Sequence, residues 1–470
     1  MTKNRDVSEL MRENTELSLG EKLGIVYRLS LPGILAQIAE IIMQYIDAAM
    51  AGTLGAAASA SIGLVASSTW LFGGMMRAAS AGFAVQVAHA TGAGNKIRTK
   101  EIFKQSLLTS FLFSSVLALI GVLISFRLPA WLGADVSIQH NAAMYFLIFC
   151  IFIPVRQLNW LGMQMLQCSG DMKTPSFFAT LMCFLDVVFN FFLIFPSRMI
   201  NLFGMEIPMY GAGLGVAGAQ LGTSLAALVC MIGILYHAVF KSELLSLKNV
   251  KGKWIAESSV LKKAWQIGAP MAMEESALCM AQVVSTRIVA PLGTVAIAAN
   301  SFAVTAESIC YMPGYGIGSA ATTLVGQSVG AERKDLARSF AWLTTFSGMA
   351  VMTVTGFLMY FICPWVFMLL TPSEEVRQLG VEVLRIELLA EPLFAASIVA
   401  AGALRGAGDT LMPGILNLVS IWGVRITLAL ILTGRMGLRG MWIAMASELC
   451  FRGIVFLIRL KRERWLAKLA

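Results

Sequence analysis

The chain carries one architecture twice, in constant register. Pro32 recurs as Pro270, 238 positions further on. The same step links Leu54-Gly55 to Leu292-Gly293, Gly92 to Gly330, Lys96 to Lys334, Pro154 to Pro392, Gly170-Asp171 to Gly408-Asp409 and Pro175 to Pro413. No insertion breaks the register between the first and last of these pairs, so the segments between them are equally long in both halves. Those segments are long apolar runs. A duplicated set of apolar runs is the layout of a membrane protein with two structurally repeated lobes, and it places a site between the repeats.

Composition supports this independently. Hydrophobic residues make up 57% of the chain and charged residues 13%, about half the charge of an ordinary soluble protein. The apolar runs predict helices near 24–50, 61–90, 102–126, 141–167, 175–196, 212–240, 262–290, 299–328, 337–363, 379–404, 412–433 and 437–460. The fold expected is therefore an all-α polytopic membrane protein of twelve transmembrane helices in two six-helix bundles related by the repeat. The lobes would occupy 24–240 and 262–460, with a polar segment 1–23, a basic linker 241–261 and a basic tail 461–470.

The net charge of +9 raises nucleic acid as a partner, but the bases lie in short loops between apolar runs. Lys96, Arg98, Lys100 and Lys104 follow the second run; Lys241, Lys248, Lys251, Lys253, Lys262 and Lys263 join the halves; Arg333, Lys334 and Arg338 follow the eighth. Arg459, Lys461, Arg462, Arg464 and Lys468 close the chain. Loops of the other parity, 53–60 and 293–300, carry no charge. This asymmetry orients both termini and the linker to the cytoplasmic side of the plasma membrane. The first residues lack the apolar core and cleavage site of a secretory signal. The eight cysteines are scattered along apolar runs without pair or zinc spacing and read as small core residues.

Polar residues inside the runs carry the functional information, because each is costly unless it faces a cavity or a partner. Gln37, Glu40, Gln44 and Asp47 share one face of the first helix. Asp186 and Asn190 lie one turn apart in the fifth, and Thr223 lies in the sixth. These are oxygen donors suited to a proton relay or a hard cation such as sodium, held by Asp47, Asp186 and Asn190. The alternative is a hydrogen-bonded cluster that only fixes helix packing. In the second half, Glu274 and Glu275 are adjacent in the seventh helix and point in different directions, so at most one faces the central space; Gln282 and Ser285 follow on the Glu275 side, and Glu307 lies in the eighth. The embedded Arg156 and Arg425 are expected to pair with carboxylates or helix-end carbonyls. Adding 238 to Asp47, Asp186 and Asn190 gives Ser285, Val424 and Leu428, so the second lobe is expected to lack the titratable cluster. Residues 311–318, with Pro313 and Gly314, predict a kink in helix eight that serves packing or gating.

Three segments together resemble the multidrug and toxic compound extrusion (MATE) family: Ile46–Gly52 with Leu54-Gly55-Ala56, Met312–Lys334, and Leu404–Thr410. The resemblance covers the chain from the first helix onward. It implies two bundles forming a V around a cavity, and export of organic cations or other amphiphiles driven by inward proton or sodium flow, with no cofactor. It places the family's helix-one acid on Asp47 and its helix-six hydroxyl on Thr223. The family's Asn-then-Asp order in helix five is reversed here as Asp186 then Asn190, and Gln167-Cys168 stand where the second lobe has Arg405-Gly406.

Other classes fit less well. The lone Gly-Lys pair, Gly252-Lys253, is followed by Trp254, so no phosphate-binding loop serves a primary pump. His89, His140 and His237 lack metal or triad spacing, which argues against an enzyme. A flippase for a lipid-linked saccharide in a related fold is the runner-up. The expected partners are small amphiphiles and membrane lipids, with Glu274 or Glu275 contacting cargo, no nucleic acid, and a monomeric chain.

Overall fold

The computed structural model describes residues 7–12, 17–202, 205–248, 250 and 253–466. Lys251, Gly252 and Lys468 of the basic linker and tail lie outside them, as do residues 1–6 and 13–16 of the polar segment. All twelve predicted helices are present. In the first half, span 1 is Leu19–Thr53, span 2 Ala56–Gly92, span 3 Lys96–Ile124, span 4 Val136–Ile151 with Ile153–Cys168, span 5 Lys173–Ile194, and span 6 Gly215–Tyr236 continued by a π-helical turn His237–Lys241. In the second half, span 7 is Ser258–Val289, span 8 Thr294–Gly330, span 9 Lys334–Leu370, span 10 Glu374–Leu388 with Glu391–Gly406, span 11 Leu411–Met436, and span 12 Leu438–Lys461.

Local signals explain where spans begin and break. Ser18 and Glu21 form a capping box that starts span 1, and the Asn95 side chain accepts from the Arg98 amide at the start of span 3. Gly55 and Gly293, counterparts in the repeat, enter spans 2 and 8 with φ of 102° and 95°, a conformation open to glycine alone. Pro154 and Pro392 each stand in the first turn after a break. The predicted helices 141–167 and 379–404 are therefore each two pieces, and the first pair is bent by 50°. A proline has no amide to give the preceding turn, and its ring clashes with the carbonyl four residues back, so the earlier helix stops short of it.

Span 8 is helical through Pro313 and Gly314, where a kink was expected, without an interruption of the helix. Its glycines serve close approach instead. A Cβ on Gly316 would lie 2.5 Å from the Ile34 amide nitrogen, and one on Gly314 would lie 2.5 Å from Met352 Sδ. A second difference is an antiparallel hairpin, Pro196–Leu202 paired with Met205–Ala212, in a stretch to which no element was assigned.

By length and composition, eight described helices suffice to cross a bilayer, and the bent pair of span 4 makes nine. Spans 2, 7 and 10 fall outside that group. They are rich in small or ionisable residues. Spans 1 and 7 exchange partners between the lobes: span 1 packs along span 8 as well as span 5, and span 7 packs along span 2.

The lobes meet most tightly at the end carrying the linker. A Cβ on Gly92 would lie 1.9 Å from the Gln327 carbonyl oxygen, and one on Gly330 would lie 2.0 Å from that of His89. His89 and Gln327 are themselves counterparts. His89 Nε2 donates to the Gly406 carbonyl at 2.8 Å, and Gln327 Nε2 donates to that of Cys168 at 3.0 Å. Each lobe thus caps the final carbonyls of the other lobe's broken span, and this basic end is sealed symmetrically.

Candidate functional site

The first-lobe cluster comes from two helices that sequence alone could not bring together. Asp186 and Asn190 stack one turn apart on span 5, and span 1 lies against that face. The Asn190 amide donates to Asp47 Oδ1 at 2.8 Å and to Asp186 Oδ2 at 3.1 Å, bridging the two carboxylates. Asp186 and Asn190 are fully buried. Asp186 Oδ1 and Asn190 Oδ1 have no hydrogen-bond partner. Thr223 stands beside Asp186, with its own hydroxyl donated to the Ala219 carbonyl at 3.1 Å. Gly222 makes room for this, since a Cβ there would sit 2.1 Å from Asn190 Oδ1. Arg156 approaches closely enough for its charge to act on both aspartates, although it reaches neither by a hydrogen bond; its guanidinium lies 5.1 Å over the Phe149 ring. Two acids share this site with one guanidinium, so with both carboxylates ionised the cluster is one positive charge short.

The central space is lined differently. Glu274 and Glu275 diverge as adjacent helical residues must. Glu274, 4% exposed, turns into its own lobe, where it accepts from Arg405 at 2.8 Å and Asn417 at 2.5 Å. It is thereby removed from the central space. Glu275 turns to the other lobe and pairs with Arg77 of span 2 at 3.0 Å. Arg77 also acts on Glu40 of span 1 and lies 5.9 Å from the Trp160 ring. Glu40, Arg77 and Glu275 therefore form a charged group between the lobes. Gln37 is half-buried, while Gln44 and Gln282 are exposed. No hydrogen bond joins these three to the Asn190 bridge.

The expectation that the second lobe lacks a titratable cluster holds for the counterpart positions and not for the lobe as a whole. Ser285, Val424 and Leu428 do occupy the counterpart positions, but Glu307 of span 8 and Glu387 and Glu391 of span 10 are buried together and act on one another. None of the four carboxylate oxygens of Glu387 and Glu391 has a hydrogen-bond partner. Nearby, Arg425 holds the fully buried Glu448 at 2.6 Å, and Arg452 holds it at 3.1 Å. Arg425 belongs to a π-helical segment, Val419–Ile426, within span 11. Glu387 and Glu391 were missed because their counterparts are Phe149 and Ile153, so transposing the first lobe's acids does not reach them. Two acids in mid-span, one turn apart, were the available signal. Among the described residues, no group of three or more histidine, cysteine or acidic side chains is arranged to hold a metal ion.

Twelve spans, a two-fold repeat, buried acids off the central space and a seal at one end define a polytopic membrane transporter. A family model described as MatE matches residues 32–192 and 270–431, one block in each lobe. The chain belongs to this family, the extrusion transporters that its motifs resemble. It is 25% identical to the probable multidrug resistance protein NorM of Thermotoga maritima over 93% of this chain and 92% of that one. It is 28% identical to the protein of the same name from Mannheimia succiniciproducens, over 92% of each. A structure described as the outward-facing conformation of a multidrug resistance MATE family transporter superposes with a TM-score of 0.87 over 99% of both chains, at 18% identity.

Proposed function

We propose that the protein is a secondary antiporter that exports cationic or amphiphilic compounds from the cytoplasm in exchange for protons or sodium ions, by alternating access of lobes 24–240 and 262–460. The observation that carries this reading is the Asn190 bridge between Asp47 and Asp186. It joins a helix that crosses to the other lobe with one that does not, so a cation taken up there changes how span 1 sits on span 5. A proton shared between the carboxylates, or a sodium ion held by both with Asn190 Oδ1 and the Thr223 hydroxyl, supplies the missing positive charge. Span 1 also packs along span 8, which passes the change to the other lobe. Cargo meets Gln37, Glu40, Gln44, Glu275 and Gln282 around Arg77. Glu40 and Glu275 there outnumber the single guanidinium, which favours cationic cargo. In this state the basic, cytoplasmic end is closed, and the cavity is reached from the other side. Pro313 and Gly314 lie where span 8 must adjust when the seal opens.

The likeness to multidrug resistance proteins in two organisms supports the substrate class. The test is efflux of a cationic amphiphilic dye from membrane vesicles under a proton gradient or a sodium gradient, imposed separately. One gradient should drive efflux without ATP. Efflux that continues with every ion gradient collapsed and ATP present contradicts the proposal.

A further inference from the structure

On the flank of the first lobe, at its basic end, two cavities meet between the start of span 5 and the end of span 6. One, of about 370 Å³, is polar, with Arg28, Asp171 and Glu243 among its lining residues. The other, of about 410 Å³, runs along Phe177, Phe178 and Tyr236. The residues common to both are Lys173, His237 and Lys241, all bases. The π-helical turn His237–Lys241 places His237 and Lys241 together at this junction.

Among the described residues, neither Lys173 nor Lys241 forms an ion pair. His237 Nδ1 is buried without a hydrogen-bond partner. Asp171 accepts from the Lys173 and Thr174 amides through one oxygen at the start of span 5, and it forms no ion pair with either lysine. Phe177 and Tyr236 are 63% and 54% exposed. On the perimeter of a membrane protein, that exposure is to lipid.

We propose that the paired cavities bind one phospholipid of the leaflet at the basic end, with its phosphodiester on Lys173, His237 and Lys241 and an acyl chain along Phe177, Phe178 and Tyr236. A polar cavity continuous with an aromatic groove fits an amphiphile whose charge lies where the two meet, and basic pockets between spans take lipid headgroups in this way. Asp171 and Glu243 border the polar side and set it against a headgroup bearing a second negative charge. The proposal stands apart from the ion-coupling reading and uses none of its residues.

The test uses the full chain in detergent, with bound lipid read by native mass spectrometry. Phosphatidylglycerol should be retained, and a galactosyl diacylglycerol with the same chains should not. Free sn-glycerol 3-phosphate should fail to displace the lipid, which separates a lipid phosphate from a soluble one. Lys173→Gln with Lys241→Gln should weaken retention on the order of thirtyfold, taking the usual contribution of each lysine near a lipid surface. Both lysines are exposed, so the fold should survive, which an unchanged melting temperature would verify. Lys248→Gln, at an exposed linker position outside both cavities, should bind as the wild type does. Equal retention of the galactolipid, displacement by glycerol phosphate, or full binding by the melted-as-normal double variant would each overturn the proposal.

Discussion

The two lobes share a scaffold and bury acid in different places. In the first, Asp47 and Asp186 are joined by one amide between spans 1 and 5. In the second, Glu307, Glu387 and Glu391 gather between spans 8 and 10, while Glu448 is held by two arginines. The first arrangement links a lobe-crossing helix to a resident one; the second lies beside an ion-pair group in which two arginines face one glutamate. A repeat therefore conserves where helices run and break, as the matched turns at Gly55 and Gly293 and the matched breaks at Pro154 and Pro392 demonstrate. It does not conserve where a charge is placed along them.

The largest effect on stability should come from the lobes' arginines. Arg425→Ala combined with Arg452→Ala strands Glu448 in a dry interior and should cost about 3–5 kcal/mol, seen as a large drop in melting temperature in detergent. Arg156→Ala removes a guanidinium that makes no hydrogen bond to a carboxylate, and should cost less than half as much. Equal losses would erase this distinction between the lobes.

A smaller effect is expected at the seal, where the lobes are alike. Gln327→Ala and His89→Ala each remove one cap worth about 1 kcal/mol. The buried Cys168 should then react with a maleimide about fivefold faster in Gln327→Ala, as read by peptide mass spectrometry. Protection of Cys168 equal to that in the wild type would show that the caps do not hold the closed state.

Pro313→Ala tests a third contrast, because the counterpart of Pro313 in span 2 is Met75. The helix is unbroken here, so insertion and expression should be normal. Turnover should fall a few-fold if span 8 must adjust there, and unchanged turnover would confine Pro313 to packing. The smallest effect belongs to the counterparts Gly94 and Glu332, with φ of 72° and 58°. Glu332→Gly should stabilise by about 1 kcal/mol and Gly94→Ala destabilise by a similar amount, as shifts in melting temperature of opposite sign.

Much of the fold was legible because apolar length and the repeat are properties of the chain itself. All twelve helices follow from them. The breaks in spans 4 and 10 were signalled by Pro154 and Pro392, but continuous apolarity masked them. The close approaches at Gly314 and Gly316 were not legible, since their partners Met352 and Ile34 come from other spans. At the site, Asp47, Asp186 and Asn190 were readable as costly polar groups, yet their meeting depends on how span 1 crosses between lobes. The separate fates of Glu274 and Glu275 depend on Arg405 and Arg77, distant in sequence. Glu387 and Glu391 have the apolar counterparts Phe149 and Ile153, so the repeat carries no trace of them.

The central claim is that ion coupling resides in the Asn190-bridged pair of the first lobe. The most direct measurement compares gradient-driven dye efflux from vesicles carrying Asp47→Asn with vesicles carrying Glu387→Gln and Glu391→Gln together, at matched amounts of folded protein. Asp47→Asn should abolish efflux driven by the coupling ion, with Asp186→Asn weakening it strongly, while the double glutamine variant should keep its dependence on that gradient. Loss of coupling in the glutamine variant with coupling retained in Asp47→Asn would contradict the account and assign the function to the second lobe.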